Sequence, residues 1–128
     1  MPCWKFYLDE NERHQPLMRT HVPDEWAYDI AFGLYASHVA KVRGAAGLEF
    51  RTSKRIVNGY MHQPEHHDGH RYLVTVPHCP DLLIIAHELA HVWQHALTGR
   101  TRHNKHMAGL VDKLCDSLYN ERWAYRET

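Results

Sequence analysis

Pro80-Asp81-Leu82-Leu83-Ile84-Ile85-Ala86-His87-Glu88-Leu89-Ala90-His91-Val92-Trp93-Gln94-His95-Ala96-Leu97-Thr98-Gly99 is the stretch that decides how this chain is read. Pro80 and Asp81 suit a helix start and Gly99 a stop, so the sequence predicts one helix between them. So apolar a helix belongs at the centre of a small domain, and little besides His87, Glu88 and His91 makes it polar. Positions four apart share a helix face, so the two imidazoles can converge on one ion with Glu88 beside the first.

Histidine supplies 13 of the 128 residues, so a shuffled chain of this composition contains a His-Glu-x-x-His pattern with probability ~0.08. The bare pattern is therefore weak ground, and its setting carries the argument. A buried histidine pair needs partners, and a metal supplies them. Two solvent-facing histidines on an amphipathic helix fit the apolar surroundings less well. Neutral nitrogen ligands, an open coordination position and a carboxylate able to take a proton from bound water are what a zinc hydrolase needs.

Two histidines do not complete such a site. His95 shares their face, but eight residues from His87 is about 12 Å along the axis, too far for ligand bonds of about 2 Å. It reads as a supporting or surface residue. A histidine ten residues after the first would fall at position 97, which is Leu97, so that extended motif is excluded. Asp112 and Asp116 are the nearest carboxylates on a following helix. His103 and His106 are better placed, because the break at Gly99 lets the chain turn back. His103, at the start of the last helix, is favoured, with His106 one turn later as the alternate.

A length of 128 residues allows one domain with a real core, and 44% hydrophobic with 23% charged residues is ordinary globular composition. Lys plus Arg equals Asp plus Glu, so overall charge draws the chain to no nucleic acid. No window is apolar enough to span a membrane, and Met1-Pro2-Cys3-Trp4-Lys5 does not open a signal peptide. Cys3, Cys79 and Cys115 are odd in number and widely spaced. That argues against a disulfide framework or zinc ribbon and makes a reducing cytoplasm the expected location.

Along the chain, residues 1–22 are expected as an N-terminal arm or first strand, 23–120 as the domain and 121–128 as a tail. Pro23, Asp24 and Glu25 open a helix that carries Trp26, Ile30 and Leu34 and ends near Arg43-Gly44. Leu48–Thr52 and Ile56–Met61 read as short strands, with Asn58-Gly59 as a turn or bulge. Arg71–Val76 alternates as a strand, and a last helix covers roughly Asn104–Tyr119. The expected class is α+β: a helix, a small antiparallel or mixed sheet, the His-Glu-x-x-His helix and a short C-terminal helix. The loop His62–His70 holds four histidines and two carboxylates, yet its spacings fit no defined metal site and it reads as solvated. His78 reads as a turn cap and Arg100-Thr101-Arg102 as a solvated loop.

His87-Glu88-Leu89-Ala90-His91-Val92-Trp93-Gln94, followed by His103-Asn104-Lys105 and Met107, resembles the SprT-like (Spartan-type) zinc metallopeptidase domain over residues 24–118. The resemblance implies a zincin-like minimal peptidase with His87, His91 and His103 as zinc ligands and Glu88 as catalytic base. Met107 stands where the family usually has an aromatic. No cysteine-rich ribbon or basic tail accompanies the domain, so action on DNA-associated proteins is an expectation from the resemblance alone. Glu88 would deprotonate the zinc-bound water and return the proton to the leaving amine. Tyr60, Tyr72 and Tyr119 are open candidates for the oxyanion, and a peptide or protein substrate is expected to add as a strand along Arg71–Val76. The competing reading is a catalytically silent zinc-binding interaction or regulatory domain, against which the presence of Glu88 argues. Specific binding of DNA is a third, discouraged by the neutral charge.

Overall fold

A computed structural model describes residues 3–66 and 70–120. The chain runs through α1 (Cys3–Arg13), the single turn α2 (Gln15–Met18), α3 (Asp24–Leu34), β1 (Leu48–Ser53), β2 (Tyr60–His62), β3 (Tyr72–Pro77), α4 (Leu82–Thr98) and α5 (Lys105–Asn120). A π-helical turn, Tyr35–Val39, extends α3, and a 3-10 turn covers Pro64–His66. The class is α+β with a small mixed sheet. The expected tail 121–128 and residues 67–69 of the histidine-rich loop lie outside the described residues.

Helix α4 begins and ends where its sequence says. Asp81 caps it, its carboxylate accepting the Ile84 N–H at 2.8 Å, and Gly99 leaves it with φ +77°. Leu82, Leu83, Ile85, Ala86, Leu89, Ala90 and Val92 are all buried, so the helix is wrapped by neighbours. Each large side chain so placed contributes about 1.5–3 kcal/mol. Helix α5 lays Met107, Leu110, Val111, Leu114, Cys115 and Leu118 into the core, a stripe at helical spacing. Helix α3 buries Ala27, Ile30, Ala31 and Leu34 in the same way.

The sheet order is β1-β3-β2, with β1 parallel and β2 antiparallel to β3. Strand β3 is therefore central, and every residue from Tyr72 to Val76 is buried. This corrects the expectation that Arg71–Val76 offers an open edge to substrate: both its sides are paired, and the free edges belong to β1 and β2. The second strand is also shorter than expected. Val57 is 85% exposed, and residues 57–59 bend toward α4 instead of pairing.

The largest departure is at the N-terminus. Residues expected as an arm or first strand form α1, which places Phe6 and Glu10 against the histidine helix. Phe6, Leu17 and Val22 share one apolar core with Ile30, Val74, Leu89 and Leu114. Among the described residues no helix is long and apolar enough to cross a membrane, and Cys3, Cys79 and Cys115 are free thiols.

Candidate metal centre

His87 and His91 lie one turn apart on α4, and His103 enters from the α4–α5 connection. Gln94 holds that connection in place. Its side chain accepts the Arg102 N–H at 2.7 Å and donates to Asn104 Oδ1 at 3.1 Å. Asn104 in turn accepts the Met107 N–H at 2.9 Å, starting α5. The same amide meets His106 Nδ1 at 3.1 Å, so His106 is engaged at Gln94 while His103 reaches the other two rings.

The three Nε2 atoms form a near-equilateral triangle: 3.1 Å for His87–His91, 3.2 Å for His87–His103 and 3.1 Å for His91–His103. Each Nδ1 has its own partner on the far side. The His87 N–H donates to Glu10 at 2.8 Å, His91 to Thr101 Oγ1 at 2.5 Å and His103 to Cys3 Sγ at 3.3 Å. With protons held at Nδ1, three Nε2 lone pairs face one another. Such a triangle of acceptors repels itself unless a cation or a shared proton lies among them. Donors around a tetrahedral ion with bonds of about 2 Å are about 3.3 Å apart. His87, His91 and His103 thus form a group that could hold a metal ion.

The electrostatics agree with that geometry. Burial, aided by His87 and His103, drives His91 down to about 3, so it is a neutral donor at any ordinary pH. Burial lowers His103 likewise. Burial also works to lower His87, but the hydrogen-bonded Glu10 carboxylate outweighs it and the net shift is upward. Glu88 is buried at 4% exposure; desolvation lifts its carboxyl to about 7, and Glu10 adds to this while His87 opposes it.

Glu88 and His87 line a cleft of about 460 Å³ together with Tyr7, Glu10, Gly59 and Asp81. Gly59 comes so close that a Cβ there would lie 2.9 Å from Glu88 Cγ. Any side chain at this position would force the Glu88 carboxylate to shift. Tyr7 stacks on His87, ring centroids 4.9 Å apart, and its phenol is pushed up to about 12 by burial and the charge of Glu88.

None of Tyr60, Tyr72 and Tyr119 lines this cleft. Tyr72 bonds His95 Nδ1 at 2.7 Å, Tyr60 lies beside His62, and Tyr119 lies beside His14. His95 is thus a structural partner of the sheet. Asp112 pairs with Arg13 and His14, tying α5 to α1. His78 bonds Asp24, away from the triangle. Glu10 and Tyr7 were not singled out by sequence reasoning, which took Cys3 only as one of three widely spaced cysteines and Thr101 only as part of a solvated loop, whereas they bond His103 and His91. Glu10 is separated from His87 by 77 positions, and no local spacing signals such a contact.

No protein-family model matches this chain, and neither the curated proteins nor the solved structures compared with it provide a match.

Proposed function

We propose that the protein is a zinc-dependent metallopeptidase of SprT-like, zincin-like type, with His87, His91 and His103 as ligands and Glu88 as catalytic base. The observation that carries this reading is the triangle of Nε2 atoms 3.1–3.2 Å apart with a buried carboxylate directly after His87, His87 and Glu88 both bordering one cleft. Imidazole-only donors suit zinc, and a bound zinc ion supplies Lewis acidity and acidifies water at its open position.

The chain's own residues then divide the work. Glu88, poised near neutrality by burial, can take up a proton at the cleft and release it to a leaving amine. Tyr7 presents a neutral phenol on the same wall, able to donate to a developing oxyanion. Edge strand β2 begins directly after Gly59, so an extended peptide pairing with its free edge would pass by Glu88. A peptide or protein substrate is the occupant this arrangement suits. Action on DNA-associated proteins rests only on the family resemblance.

Metal content and casein hydrolysis, with and without single-stranded DNA, test the reading in wild type and Glu88→Gln. The expected result is one zinc per chain in both and hydrolysis only in wild type. Equal cleavage by both proteins would remove Glu88 from the chemistry. Zinc retention with no turnover in either would favour the silent zinc-binding module.

A further inference from the structure

The turn between β3 and α4 carries a second group of chemically capable side chains, distinct from the triangle. His78 Nδ1 donates to Asp24 Oδ2 at 2.7 Å, and His78 Nε2 faces Cys79 Sγ at 3.4 Å. Asp24, His78 and Cys79 are close enough to be considered as metal ligands. Their arrangement argues otherwise. At the triangle, ring nitrogens from three residues converge. Here the carboxylate and the sulfur occupy opposite nitrogens of one ring, in the linear order carboxylate, imidazole, thiol. That order suits passing a proton from sulfur to a ring held by an acid, as in activated nucleophiles.

The turn is held firmly. The Cys79 N–H donates to Asp24 Oδ1 at 2.8 Å, and the Cys79 carbonyl accepts from His21 Nδ1 at 2.8 Å. The His78 N–H donates to Ser53 O, and Pro80 O accepts from the Val22 N–H, both at 3.0 Å. Cys79 has φ +48°, a left-handed conformation rare outside glycine. A sharp strand-to-helix turn of this kind lifts a nucleophile clear of its sheet. The Cys79 thiol is exposed, whereas Cys115 is buried. Burial opposes ionisation of Asp24, but hydrogen bonds from Cys79, His78 and Thr52 overcome it, so the group that anchors the ring stays a carboxylate.

We infer that Cys79 is a nucleophilic thiol, served by His78 as base and Asp24 as the ring's anchor, that takes low-molecular-weight disulfides as its partner. Sγ attacks one sulfur of the disulfide while its proton passes to His78 Nε2. A new S–S bond forms, the old one breaks, and the departing thiolate takes the proton from His78. One thiol and one disulfide give one mixed disulfide and one thiol, with no external oxidant.

The test treats the zinc-loaded 128-residue chain with 2-hydroxyethyl disulfide at pH 7 and follows each cysteine by peptide mass spectrometry. Cys79 is expected to form the mixed disulfide at least tenfold faster in wild type than in His78→Gln, with Asp24→Asn also slowed several-fold. His78 is exposed enough to replace without loss of folding, and an unchanged Cys3 rate checks this in each variant. Equal Cys79 rates in wild type and His78→Gln overturn the inference. Protection of Cys79 by a second equivalent of zinc also overturns it, assigning the cluster to a cation instead.

Discussion

Glu10 on α1 and His87 on α4 meet through a hydrogen bond of 2.8 Å, although 77 positions separate them in sequence, and both side chains are buried. A carboxylate on the far nitrogen of an imidazole fixes the tautomer and raises the basicity of the near one. Glu10 therefore sets which His87 nitrogen faces the triangle and how strongly it donates.

Replacing that carboxylate should weaken metal binding without touching a ligand. Glu10→Gln is expected to lose zinc affinity by about 10–100-fold, measured by competition with a chromogenic chelator. The wild-type affinity should also fall as pH drops through the raised His87 titration, because a proton competes with the metal there. In Glu10→Gln that fall moves to lower pH. An affinity equal to wild type at every pH would make the contact purely structural.

Glu88 should be a stability liability in the metal-free protein. Its folded-state pKa, about 7, lies above the ordinary 4.5, so the folded state holds its proton more tightly than the unfolded chain. Stability from this group is present below the unfolded value and is lost as pH rises through 4.5 to about 7. Above that, ionised Glu88 costs on the order of 3 kcal/mol. Glu88→Gln, stripped of metal, should therefore resist urea better than wild type at pH 8 and lose that advantage at pH 4. An advantage unchanged between the two pH values would contradict the assignment of the cost to ionisation.

Gly59→Ala probes the wall of the cleft. The added methyl would stand 2.9 Å from Glu88 Cγ and 3.0 Å from Oε2, so the carboxylate must move. If Glu88 is the base, hydrolysis should drop at least tenfold, since a displacement near 1 Å is enough for such a loss. Zinc content should stay at the wild-type level. Full activity in Gly59→Ala would mean that the position of Glu88 is not critical.

Asp81→Ala removes the cap that starts α4 and should lower stability by about 1 kcal/mol in urea denaturation. Zinc stoichiometry should not change, because His87 lies beyond the first turn. Loss of the metal together with the cap would show that the frame of α4 depends on that single side chain.

Helix α4 was legible from sequence because its determinants are local: the Asp81 cap, the apolar run and the Gly99 stop act within neighbouring turns. The four-residue spacing of His87 and His91 is likewise a property of the helix alone. The chain break at Gly99 favoured His103 and His106 together, and His103 was preferred for its place at the start of the last helix; the structure places His103 at the triangle and His106 on Gln94. Local patterns could also name the class α+β. They could not reveal that β3 is the middle strand, because strand order depends on which edges meet after the chain has crossed over.

The surroundings of the triangle were decided by tertiary structure. Residues 3–13 have no motif that predicts a docking site, yet Glu10 and Cys3 among them bond His87 and His103. The helix periodicity of α1 constrains which side chains share a face, but not the surface that face will cover. That choice depends on burying Phe6 in the common core, and Glu10 and Cys3 reach the histidines as a consequence. Likewise Gly59 acquires its meaning only because a loop 29 positions before Glu88 folds against it. Sequence alone determined the donors on one helix; three-dimensional packing determined their supporting partners, since long-range contacts follow from the whole core and not from spacing along the chain.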